Sequence, residues 1–165
     1  MMSEKGYNWT FWLFLLMLMG LLMMSWYRHS RRSEPMVHSG EWLTDFEAAK
    51  QLAQEQHKDL LVNFAGSDWC YWCKRLDAEV FSDYNFIASV QKDFVLVLID
   101  FPADKSGQPQ SLQEQNQKLA GQFAIEGYPT VILMDKDGNS YARTGYQEGG
   151  AKAYLAHLKE LQSKK

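Results

Sequence analysis

The only two cysteines of this 165-residue chain, Cys70 and Cys73, lie in Ser-Asp-Trp-Cys-Tyr-Trp-Cys-Lys, residues 67–74. Three chemistries use such a pair. A zinc site needs about four ligands, and this spacing supplies two. The four histidines, His29, His38, His57 and His157, are scattered along the chain. A soft ion such as Cu(I) suits two thiolates better, and a client- or copper-binding module without turnover follows from that reading. A structural bridge across so short a loop removes little unfolded-state entropy. A redox centre asks for the first sulfur at a helix start, where unpaired amides favour the thiolate, and the second one turn later to resolve a mixed disulfide. Trp69, Tyr71 and Trp72 add three large rings around the sulfurs.

The elements that must position the pair are legible from the pattern. Thr44 and Glu47 have capping-box spacing before Phe46, Ala49 and Ala53, so a helix is expected over 45–57. Leu60–Ala65 is a short apolar run, expected to be a buried strand that delivers the chain to the turn at 66–68. Helix is expected again over 74–81, and another from the cap Ser82-Asp83 through Val90. Phe94–Ile99 reads as a strand buried on both faces. A loop with Pro102, Gly107 and Pro109 precedes a helix over 112–123. Thr130–Met134 and Ser140–Thr144 form a hairpin across Asp135–Asn139, and a last helix covers 149–161. Alternating strands and helices followed by a hairpin predict an α/β fold around a mixed central sheet, with helices on both faces.

Trp69-Cys70-Tyr71-Trp72-Cys73-Lys74 resembles the WCxxCK site of the thioredoxin superfamily. Gly127-Tyr128-Pro129-Thr130 is similar to that family's cis-proline segment. Lys74, Leu76, Asp77, Glu79, Val80, Phe81 and Ser82 match a subgroup pattern running W-C-x-x-C-K-x-L-D-x-E-V-F-S, and the chain most resembles the DsbH-type periplasmic thiol–disulfide oxidoreductases of chlamydiae. The resemblance implies a thioredoxin fold over about 41–163, Cys70 as nucleophile and Cys73 as resolving cysteine of a redox-active disulfide. It also implies a cis bond before Pro129, with Tyr128 and Pro129 in the substrate site. From their own chemistry Trp69, Tyr71, Trp72 and Lys74 are expected to bind substrate or tune the pair. No cofactor and no metal are implied. The family's buried aspartate and its lysine partner fall at Asn63 and Leu96, so the proton acceptor for Cys73 passes to water, Lys74 or Glu79. Trp72 stands where the family has a proline, and restores an amide able to point at the Cys70 sulfur.

Residues 9–27 carry no charge over nineteen positions, about 28 Å as a helix against a hydrocarbon core of about 30 Å. Trp9, Trp12, Trp26 and Tyr27 lie near its ends, where rings favour the interface. A signal-anchor is expected over 1–27, a linker over 28–40 and one thioredoxin-like domain over 41–165. The alternative is a cleaved signal peptide, although no A-x-A-like site is present. Lys5 precedes the segment while Arg28, Arg31 and Arg32 follow it, which by the positive-inside rule keeps the domain in the cytoplasm. A lone cysteine pair on a tethered domain fits the periplasm, and that location is the expectation. The domain's 13 basic and 18 acidic residues exclude nucleic acid as a partner. Expected partners are proteins bearing disulfides, a membrane reached through 9–27, and an upstream thiol–disulfide reductant or oxidant. A monomer is expected. The direction of exchange is read as reductive, with oxidase, isomerase or cytochrome-maturation reductase as alternatives.

Overall fold

The structure, a computed structural model, describes residues 9–30 and 42–165. Two compact units are present, and in the first the described residues form a helix, α1 (Trp9–Ser30). Among the described residues no helix is long and apolar enough to cross a membrane. The side chains of Trp12, Trp26 and Tyr27 lie outside those described, as do Lys5, Arg31, Arg32 and most of the expected linker.

The second unit begins with α2 (Phe46–Gln56), which buries Phe46, Ala49 and Ala53 on one face. Its cap is Asp45, whose carboxylate accepts the Ala48 amide at 3.0 Å, so the Thr44 capping box is corrected by one position. Glu47, free of the cap, pairs with Lys50. β1 (Asp59–Ala65) is buried along its whole length, as befits the inner strand of a sheet. β1 pairs in parallel with β2 (Phe94–Asp100) and antiparallel with β3 (Thr130–Met134), and β3 pairs antiparallel with β4 (Ser140–Thr144). The strand order is β2-β1-β3-β4. Leu43 extends the sheet by one parallel bridge to Val97. Gly138 takes the left-handed turn of the β3–β4 hairpin at φ +89, a conformation glycine adopts without a Cβ penalty.

Alternation along β1 divides the core. Leu60, Val62 and Phe64 face α2 and α5 (Gln110–Gln122), with Val97, Ile99 and Leu119. Leu61 faces the other layer, with Leu76, Phe81, Phe86 and Tyr154. That layer holds α3 (Tyr71–Leu76), a π turn over Asp77–Phe81, α4 (Tyr84–Val90) and α6 (Gly150–Gln162). The mixed sheet therefore carries helices on both faces. The helix expected over 74–81 starts earlier, at Tyr71, and ends in a π turn rather than an α turn. His57 closes α2 in the left-handed region at φ 53, and His157 Nε2 lies 2.8 Å from Thr144 Oγ1.

Candidate active site

Cys70 ends the turn after β1 and caps α3; Cys73 sits one turn into that helix. The two are joined by a disulfide. Cys70 Sγ accepts the Cys73 amide at 3.2 Å. The donor is thus the Cys73 amide, not the Trp72 amide expected from the missing proline. Both cysteines are buried, in a small cluster with Ala65, partly buried Leu98 and Tyr128. Exposure does not distinguish the two sulfurs; their places at the cap and inside the helix do.

The turn that presents Cys70 is stapled to the segment after β2. Ser67 donates its amide and its hydroxyl to the Asp100 carboxylate at 2.9 and 2.6 Å. Asp68 accepts the amides of Ala103 and Asp104 at 2.9 and 3.1 Å. Those backbone bonds hold its carboxyl below the usual carboxylate range. The Trp69 indole donates to the Phe101 carbonyl at 2.8 Å and packs edge-on against Tyr128, 5.7 Å between centroids. It also lies over Gly66, where a Cβ would fall 2.4 Å from the ring. Trp69 is therefore anchored at both ends of its ring although half exposed.

Tyr71 and Trp72 are held differently. Tyr71 is 66% exposed and touches Trp72 edge-on at 5.1 Å. Trp72, 45% exposed, lies 5.3 Å from the Tyr146 ring. The Tyr128–Pro129 peptide is cis, and both residues line a groove of about 650 Å³ with Trp72, Tyr146, Gln147 and Glu148. Burial pushes the Tyr128 phenol up. Cys70, Cys73, Trp69, Tyr71, Trp72, Tyr128 and Pro129 thus gather at one end of the sheet. Lys74 does so less directly: it is exposed, and its ammonium donates to the Asp68 carbonyl at 2.5 Å.

Asn63 lies on the β1 face shared by Leu61 and Ala65, in register with Leu98 and Val131. It is buried, and its Oδ1 has no hydrogen-bond partner. Neither protein candidate for the missing acceptor is free. Lys74 is bound to Asp68, and Glu79 takes Arg75 Nε at 2.6 Å and the Tyr146 hydroxyl at 2.7 Å. Arg75 first, then Tyr146, hold the Glu79 carboxyl below its ordinary range. Water remains.

Sequence reasoning missed Tyr146, Arg75, Asp68 and Phe101. The Arg75–Glu79 pair carried a signal, an i,i+4 spacing on a helix. Tyr146 carried none, because it meets Glu79 across 67 residues of chain.

The thioredoxin-like domain family matches residues 46–162. The disulfide bond reductase DsbH of Chlamydia pneumoniae is 28% identical over 129 residues, covering 78% of this chain and 77% of the relative. The thioredoxin-related protein DsbJ of Chlamydia pneumoniae is 33% identical over 104 residues, 63% of this chain but only 30% of the relative. A solved DsbH oxidoreductase superposes with a TM-score of 0.70 at 28% identity, covering 76% of this chain and 85% of that one.

Proposed function

The chain belongs to the thioredoxin-like domain family, and from that premise we propose how it works: as a membrane-anchored reductase of protein disulfides. It is a thiol–disulfide oxidoreductase with Cys70 and Cys73 as its dithiol/disulfide centre. The observation that carries the reading is the Cys70–Cys73 disulfide at the start of α3, beside the groove of Tyr128 and Pro129.

In the reduced enzyme the Cys70 thiolate attacks one sulfur of a client disulfide. The client S–S bond breaks, a Cys70–client bond forms, and the other client sulfur leaves as a thiolate. Cys73, deprotonated, then attacks the Cys70 sulfur and releases the second client thiolate. Two electrons pass to the client, and the enzyme is left with the disulfide seen here. The Cys73 amide supports the Cys70 thiolate, since a hydrogen bond to the charged form favours it. A protein dithiol must then re-reduce the pair.

The reductive direction rests on the similarity to DsbH, which is named a disulfide bond reductase. The cytoplasmic-facing orientation of the positive-inside rule is set aside in favour of a periplasmic domain tethered by residues 9–27. What supports the tether is the uncharged run of nineteen residues at 9–27. Residues 28–40 serve as linker, 41–165 as the catalytic domain, and the protein acts as a monomer.

Insulin reduction by the full chain tests the activity. The wild type precipitates insulin chains in the presence of dithiothreitol faster than dithiothreitol alone, and Cys70→Ser and Cys73→Ser do not. Equal rates for all three would end the reductase reading.

A further inference from the structure

Trp72 is placed between the cysteines, yet it lies outside both buried cores. What holds it is a ring of contacts reaching a different part of the chain. Its indole lies 5.3 Å from Tyr146, a residue of the segment joining β4 to α6. The Arg75 guanidinium, three residues further along α3, sits 5.7 Å from the Trp72 centroid and 5.2 Å from that of Tyr146. Glu79 closes the ring. One carboxylate oxygen accepts Arg75 Nε at 2.6 Å, and the other accepts the Tyr146 hydroxyl at 2.7 Å. Glu79 stands in the π turn, and such turns recur at functional positions. Arg75 and Glu79 are each about a third exposed. Such contacts contribute little stability one at a time. Together they fix orientation, because a planar guanidinium facing two rings and one carboxylate has few poses.

We propose that Arg75, Glu79 and Tyr146 are positioning residues that hold the Trp72 indole as a wall of the client groove. We assign to the Trp72–Tyr146 wall the selection of polypeptide clients with an apolar side chain beside the reacting cysteine. This rests on the oxidoreductase reading and deepens it. Both rings line the same groove as Tyr128 and Pro129, and the disulfide lies against Tyr128. A client whose sulfur reaches Cys70 lays its neighbouring side chain against Trp72 and Tyr146. An apolar side chain there gains burial against two rings, which glycine cannot. Arg75 and Glu79 are paired with each other, so Trp72 and Tyr146 bring aromatic carbon to a groove that Gln147 and Glu148 also line.

The test uses the full chain and two neutral peptides, each with one disulfide, differing only in Phe or Gly beside a cysteine. Turnover, KM and the reduction potential against glutathione are measured for the wild type, Arg75→Met, Glu79→Gln and Tyr146→Phe. The wild type is expected to show a KM about tenfold lower for the Phe peptide. Arg75→Met and Glu79→Gln raise that KM about three- to tenfold, with kcat within about twofold and the Gly peptide little affected, the mark of lost binding rather than lost chemistry. Tyr146→Phe, which keeps the ring and loses the hydroxyl, falls between. The reduction potential stays at the wild-type value in all three. Equal KM values for the two peptides in the wild type overturn this inference alone. So does a potential that moves with the brace, or a kcat that falls equally for both peptides. A wild type that reduces neither peptide overturns the oxidoreductase reading, and this inference with it.

Discussion

Asn63 stands where the resembled family carries a buried aspartate, and its Oδ1 is buried without a partner. A buried amide oxygen left unpaired costs its desolvation. Replacing it with an apolar side chain of similar size removes that cost. Asn63→Leu is expected to leave thermal stability unchanged or to raise it by about 1 kcal/mol. A loss above about 2 kcal/mol would show that the amide is bonded in solution. The residues between the cysteines make a second case. The Cys70 sulfur takes its hydrogen bond from the Cys73 amide, which a proline at position 72 would leave in place. Tyr71→Gly with Trp72→Pro is therefore expected to move the reduction potential by less than about 30 mV, tenfold in equilibrium. The same variant should raise KM for polypeptide clients. A larger fall in potential would restore the Trp72 amide as the donor that tunes the pair.

Among the elements, what was readable in the sequence and what was not divides along one physical line. Strands and helices whose cue is local came through: the apolar runs of β1 and β2, the hairpin turn at Gly138, the repeat of Phe46, Ala49 and Ala53. The site's cysteines and its Tyr128-Pro129 segment were legible because they form short motifs. The cap of α2 was misplaced by one residue because Thr44 and Asp45 are both good caps, and only the fold chooses between them. The π turn at 77–81 leaves no periodic trace in five residues. The staple of the active-site turn was invisible, since Asp68 finds its amides at Ala103 and Asp104, 35 and 36 positions away. That staple has a pH signature. The Asp68 carboxyl is depressed in the folded state, so its contribution is full above its ordinary value of 3.8 and is lost as pH falls through the lower folded value. Hydrogen exchange at the Ala103 and Asp104 amides, corrected for intrinsic rates, is expected to stay slow at pH 5 and to quicken below pH 3.8. Asp68→Ala should show the quick exchange at both. Indifference of these amides to both changes would mean that the staple does not hold the loop.

For the whole molecule, the helix at 9–30 and the domain raise a question of side rather than of fold. The arginines at 28, 31 and 32 favour a cytoplasmic domain, whereas the proposed function places the tethered cysteine pair in the periplasm. A topology reporter fused after Lys165 is expected to be active only as a periplasmic enzyme. Activity of a cytoplasmic reporter there would reverse the placement, and would leave the redox chemistry standing. The chemistry itself has a more direct test, in the covalent intermediate. Full-length Cys73→Ser protein, incubated with a disulfide-bonded client, is expected to accumulate a one-to-one mixed disulfide through Cys70. Mass spectrometry of the tryptic cross-link locates it, and dithiothreitol releases it; Cys70→Ser forms none. Capture through Cys73 instead of Cys70, or no adduct from either variant, would contradict the assignment of Cys70 as the nucleophile of a protein-disulfide reductase.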